Sequence, residues 1–372
     1  MKNREKKQEM SNKRTKIFSI FSWISIALFL IIGATHLATD ISPEFADLVN
    51  STASQGFRRI MASVGEIVSF SLFELLIICI PIILFFVIRK AVKMFSSREG
   101  RARFVVNLAA VVLLIYSGHL LALGVAHNTT TISRKMGIDE VEVTEENLIA
   151  TLTDICDEIN ELATCVPRDS DGVFTHGYSY SEISHSISRD YITFADAYNL
   201  PEGYYSTAKG VRVSEVMSYL GITGIYTYVT GEANVNTQYP DYVTLFTIAH
   251  EMSHQRGILR ENEANFVAYI LLSSSDDPCF RYSAEMNMYN YFASALYSTN
   301  KDAYYEIVAE LSPLAKADIR VANAVSQKYG DTIIEKISEW INDFYLKSSG
   351  SGGIVSYSCV VELVLSYREG KK

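Results

Sequence analysis

Apolar residues are distributed along this chain in two regimes. In the first third they form unbroken runs at residues 17–38, 66–88 and 104–126. Each run is long enough to cross the hydrocarbon layer of a bilayer as a helix. The first is free of charge, the second contains Pro81 and Glu74, and the third contains His119. A proline is tolerated in such a helix as a kink, because neighbouring groups re-satisfy the backbone it frees. The first run exceeds the apolar core of an ordinary signal peptide and reads as a retained anchor. A short amphipathic helix is expected at 43–49. Glu74 and His119 fall at similar depth in antiparallel helices and are expected to hydrogen-bond, since an unpaired ionisable group in lipid is costly.

After residue 127 the apolar positions recur at the helical period. Thr144 is placed to cap a helix over 145–163, whose stripe is Leu148, Leu152, Ile155, Ile159 and Leu162. A second helix is expected at 181–198, ending before Pro201. Residues 203–240 break the rhythm with five glycines. There, 225–229 and 233–237 have the β-branched and aromatic content of two short strands around a Thr230-Gly231-Glu232 turn. The helical period returns at Tyr242. Further helices are expected at 260–274, 279–299, 301–310, 313–329 and 331–346. A flexible link at 347–353 then leads to an apolar helix at 354–367, too short to span a bilayer.

Charge assigns a side to each part. The whole chain carries a net charge of −9, yet residues 1–126 are net positive by 7 and residues 127–372 net negative by 16. Basic residues crowd 1–16 and 89–103, which places both on the cytoplasmic face of the cell membrane. The expected organisation is a basic cytoplasmic tail at 1–16, a three-span membrane domain at 17–126, and an extracytoplasmic domain at 127–372. So acidic a domain is a poor partner for nucleic acid, whose phosphates need a basic surface. Of the five cysteines, Cys156 and Cys165 are close enough in sequence to pair outside the cell, which leaves the redox compartment undecided.

The candidate chemistry lies at residues 250–265, which read HExxH, then a glycine, then ExEAN. His250 and His254 are four apart on one helical face and can ligate one metal ion. Glu251 lies about 100° round the helix, where it can act as general base on a metal-activated water. Gly257 is suited to stop the helix in a left-handed turn. Catalytic zinc commonly takes three protein ligands, so a third is required. Glu261 and Glu263 both qualify. Glu261 is favoured, because Asn265 shares its face and can support a ligand histidine from behind, whereas Glu263 points about 200° away.

Around this site, Asn234 and Asn236 are candidates for substrate backbone contacts, with turn stabilisation as the alternative. The strand pair offers an edge for an extended substrate. Tyr357, Tyr226 and Tyr228 are candidates to stabilise an oxyanion. His176 and His185 have no partner spacing and read as structural.

The stretch HEMSHQRGILRENEANFVAYIL resembles the domain of unknown function 3810 family of bacterial membrane proteins. So do GIYTYVTGEANVN and SYSCVVELVLSY, and the resemblance covers most of the chain. It implies a zinc metallopeptidase-like domain and brings no substrate. More distantly, ExxAN after HExxH is similar to the third-ligand helix of gluzincins. HExxHxxG is similar to metzincins, but those place a histidine where this chain has Arg260.

The expected protein is therefore mainly α: three transmembrane helices, then a mostly helical zincin-like α+β domain with a small β element before the HExxH helix. Its expected activity is zinc-dependent hydrolysis of a peptide or protein substrate. The alternative from another class is a membrane-tethered sensor or binding protein that keeps the zinc site without turnover.

Overall fold

The computed structural model describes residues 18–330 and 356–371. The helix expected at 331–346 and the link at 347–353 lie outside the described residues.

The N-terminal third is a helical bundle. Helix α1 (Ile20–Thr39) opens at Ser19, whose Oγ accepts the Ser22 N–H. A short α2 (Pro43–Val49) follows, with proline in its first turn, where no N–H is needed. It passes through a π turn (Asn50–Ser54) into α3 (Gln55–Gly65). Helix α4 (Leu72–Met94) is capped by Ser71, and α5 (Arg98–His119) continues through a second π turn (Leu120–Gly124) to His127. The helices Ile20–Thr39, Leu72–Met94 and Arg98–His127 are long and apolar enough to cross a membrane.

Two of these differ in extent from the apolar runs. Helix α4 starts at 72 rather than 66, because residues 65–70 turn their carbonyls outward: those of Gly65, Val68 and Phe70 all accept from the Lys209 ammonium. Helix α5 starts at 98 rather than 104, since its opening charges suit a helix as well as apolar residues do.

The exposure of α5 changes abruptly along its length. Val111, Val112, Leu114, Ile115 and Tyr116 are open, whereas Leu120, Ala122, Leu123, Val125 and Ala126 are buried. Its last two turns are enclosed by the rest of the protein, with Leu259 packed against Ala122, Leu123 and Ala126. The expected Glu74–His119 pair does not form. Glu74 accepts backbone N–H groups from Arg212 (3.3 Å) and Val213 (2.9 Å), while His119 lies between the rings of Tyr116 and Tyr228. Backbone amides of the following domain satisfy the carboxylate instead.

That domain begins with α6 (Ile132–Met136), α7 (Glu145–Ala163) and α8 (Tyr180–Tyr198). Both longer helices start in reciprocal capping boxes, Thr144 with Asn147 and Ser179 with Glu182. Next come β1 (Lys209–Val211), α9 (Ser214–Tyr219), β2 (Gly224–Thr227), β3 (Glu232–Asn236) and α10 (Asp241–Gln255). The chain continues through α11 (Glu261–Ser273), α12 (Pro278–Thr299), α13 (Lys301–Ala309) and α14 (Pro313–Tyr329) to α15 (Ser356–Lys371).

The sheet order is β1-β3-β2, with β3 parallel to β1 and antiparallel to β2, Ile225 opposite Asn234. β2 is therefore an edge. The apolar stripe of α7 is buried in one continuous core with Phe266 of α11, Phe292 of α12, and Val360, Val364 and Leu365 of α15. Helix α10 lies between this core and the sheet. Cys156 is buried and Cys165 exposed, and both are free thiols, so the disulfide considered from sequence is absent.

Candidate metal centre

Helix α10 delivers His250 and His254 on one face, their ring centroids 4.5 Å apart and nearly perpendicular. The helix ends in a Schellman motif: Gly257 N–H bonds to the His254 carbonyl and Ile258 N–H to that of Ser253. Gly257 has φ +90°, a conformation that favours glycine, and a Cβ there would come within 2.3 Å of Arg58 Nη2. The turn has a chemical consequence. It brings the Ile258 carbonyl to 2.8 Å from His254 Nδ1. A carbonyl only accepts, so Nδ1 carries a proton, and in the neutral ring Nε2 is left as the free lone pair.

Glu261 opens α11 and places its carboxylate 3.2 Å from His250 Nε2 and 3.5 Å from His254 Nε2. These three residues offer ligand atoms all within 4.8 Å of one another and form a group that could hold a metal ion. Two imidazole nitrogens and one carboxylate oxygen suit zinc with a fourth position left for water or substrate. Desolvation works against the Glu261 charge, but His254 and His250 outweigh it and hold the carboxyl well below its usual range.

Glu263 is engaged elsewhere. It accepts from Arg260 Nη1 and the Ile132 N–H, each at 3.0 Å, and so ties α11 to α6. Glu251 is 4% exposed, and its Oε2 has no hydrogen-bond partner. Burial raises its pKa, opposed by the two histidines. Gly224 of β2 packs so closely on it that a Cβ would lie 2.6 Å from Oε1. The edge strand and the candidate base are thus in direct contact.

Three sequence candidates lie elsewhere. Asn234 and Asn236 are buried on the central strand β3 rather than facing a cleft. Asn234 Oδ1 accepts from Ser71 Oγ, and Asn236 Nδ2 donates to Ser218 Oγ and the Ile222 carbonyl. Asn265 does not support His250, whose Nδ1 is buried without a partner. It follows Glu261 by four residues, about 6 Å along the axis, which carries it a turn away from the cluster. The Tyr357 side chain lies outside the described residues. Tyr226 is half-buried with its hydroxyl unpartnered, and Tyr228 donates to the Ile115 carbonyl of α5.

Sequence reasoning missed the residues that mount the site on the bundle. Arg58 of α3 is fully buried without a carboxylate and donates to the carbonyls of Ala122 and Asn50, one in each π turn. The Asn50 carbonyl also accepts the Gln55 N–H, so the π turn and Arg58 share it. Asn50 in turn donates to the Gly257 carbonyl at 3.2 Å. Glu232 accepts the N–H groups of Leu72 and Phe73 at the start of α4 and lies 3.2 Å from Lys209 Nζ. Glu232 reads as a turn residue in the sequence, and the structure makes it the first residue of β3.

Fold and site together define a mainly helical chain with three candidate membrane spans and a partly buried His-His-Glu cluster. A family model described as "Protein of unknown function (DUF3810)" matches residues 50–365, and the chain belongs to that family. No curated protein and no solved structure matches it.

Proposed function

We propose that the protein is a membrane-anchored zinc metallopeptidase, of zincin-like build, with its catalytic domain on the extracytoplasmic side. His250, His254 and Glu261 would hold the ion. When bound, zinc supplies a Lewis acid that lowers the pKa of a water and polarises the scissile carbonyl. Glu251 accepts the proton of the attacking water and returns it to the leaving amine. The edge of β2 pairs with an extended peptide and lays it across Glu251.

The observation that carries this reading is the buried carboxylate of Glu251, its Oε2 without a hydrogen-bond partner, beside three convergent candidate ligands. A purely structural metal site has no use for that base. Metal analysis of the purified protein should give about one zinc per chain. His250→Ala and Glu261→Ala should lose it. Glu251→Gln should keep the metal and lose peptide hydrolysis by about 10²–10⁴-fold. Absence of zinc from the folded protein overturns the reading. Stoichiometric zinc with no turnover of any peptide would favour a sensor.

A further inference from the structure

The apolar surface of this domain is on the wrong side for water. In α3 the buried residues are Gln55, Arg58, Ala62 and Gly65, while Ile60 and Val64 are open beside Arg59 and Ser63, followed by Ile67 in the next loop. Ile60 and Ile67 are 64% and 78% exposed. Val213 and Val216, three apart at the start of α9, are likewise open, Val216 at 58%. Such a polarity is stable where the outward face meets lipid.

The height of this surface is set by its hydrogen bonds. Val213 N–H is bound to Glu74, three residues inside the loop-to-helix boundary of α4. Lys209 and Glu232 hold residues 65–73 directly beneath the sheet. Tyr228, just past the end of β2, reaches the Ile115 carbonyl of α5 and lies 3.3 Å from where a Gly118 Cβ would be. That is where α5 changes from open to enclosed. Both spans therefore leave the bilayer at the level of the β2–β3 turn. Strand β2 runs from Gly224, against Glu251, to that level. Four residues at about 3.3 Å each put the base about 13 Å from the membrane surface.

We propose that the domain docks on the adjoining leaflet through Ile60, Val64, Ile67, Val213 and Val216, and that its substrate is a polypeptide anchored in the same bilayer, cut in the first few residues to emerge. A chain paired with β2 points one end at Glu251 and the other into the membrane. The substrate class rests on the peptidase reading above, whereas the docked surface does not.

The test uses the full chain in phosphatidylcholine–phosphatidylglycerol vesicles and has two arms. In the first, Val216→Trp is made with Trp23 and Trp340 replaced by Phe, and its fluorescence is followed in lipids brominated near the headgroup. Quenching is expected, with none for Tyr305→Trp on α13, which packs on α7 and α12 away from the spans. An unquenched Val216→Trp overturns the docking.

In the second arm, a random-sequence segment is fused to a single hydrophobic span, with or without a spacer, and the cuts are located by mass spectrometry. Cuts within about five residues of the span, dependent on Glu251 and unmoved by the spacer, are expected from the strand length. Cuts that follow the random segment outward overturn the substrate class. Quenching with no hydrolysis anywhere brings down the peptidase reading, and the substrate class with it, while the docked surface stands.

Discussion

The packed core on one side of helix α10 and the junction of sheet and bundle on its other side are held by different physics. Toward α7, α11, α12 and α15 the contacts are apolar, a continuous packed core that includes Leu152, Phe266 and Phe292. Toward the bundle they are charged and directional: Lys209 on three carbonyls, Glu232 on two helix N–H groups, Glu74 on two more, Arg58 on two π turns. An apolar core is satisfied by any arrangement that fills its volume. A buried charge is satisfied only where its particular partners are, and misplacement leaves it bare. The first flank makes the domain stable; the second gives it one position on the helical bundle.

Substitutions can break this contrast in order of size. Glu232→Ala leaves the Lys209 ammonium without its carboxylate and two N–H groups of α4 without acceptors. A loss of about 3–5 kcal/mol is expected in thermal unfolding in detergent. Lys209→Met combined with Glu232→Gln should recover part of it. A Glu232→Ala protein as stable as the wild type would deny the junction its specificity. On the apolar flank Leu152→Ala should cost about 3 kcal/mol by leaving a cavity. Leu152→Met, which conserves volume, should stay below about 1.5 kcal/mol by the same measurement.

A pH series sharpens the contrast at the site between the flanks. Burial opposes the charge of His254, but Glu261 outweighs it and raises the pKa to about 9. In metal-free protein the pair therefore adds stability in full only below about pH 6.5, the unfolded histidine value, and above about pH 4.5, the unfolded carboxylate value, under which Glu261 begins to protonate. That contribution is lost as pH rises through 9. Zinc requires the unprotonated ring, so its added stabilisation should grow by about 1.4 kcal/mol per pH unit up to about 9 and then level. The difference in unfolding temperature between zinc-loaded and chelator-treated protein reads this directly, and a flat difference would break it. The smallest effect is expected for Asn265→Ala, which should leave zinc affinity within about twofold, since it supports neither ligand ring.

Much of this was legible in the sequence wherever a periodicity or a fixed spacing carried the signal. The α7 stripe, the capping residue Thr144, the Gly257 turn and the shared face of His250 and His254 all follow from helical geometry. The junction was not legible, because each of its contacts joins residues more than a hundred positions apart, except within the sheet and α3. Lys209-Gly210-Val211 has no strand pattern, and Arg58 reads as a solvated charge until Ala122 and Asn50 are seen around it. The third apolar run illustrates the deeper limit. Hydropathy marks residues that leave water, and a protein interior satisfies it as well as lipid does. Residues 104–126 were therefore read as one span, although the final turns serve the domain.

Those enclosed turns bear on how the protein is made. Residues 120–127 and Arg58 emerge from the ribosome well before Leu259 and Gly257, which later close over them. The helical bundle is thus a mould awaiting its casting, with an apolar helix end uncovered until the second half arrives. Cutting the chain at residue 128 would not release a self-contained C-terminal domain. It would strip Gly257, and the histidine turn it shapes, of the surface against which they set. A fragment meant to fold alone should carry residues 42–73 and 117–127 as well.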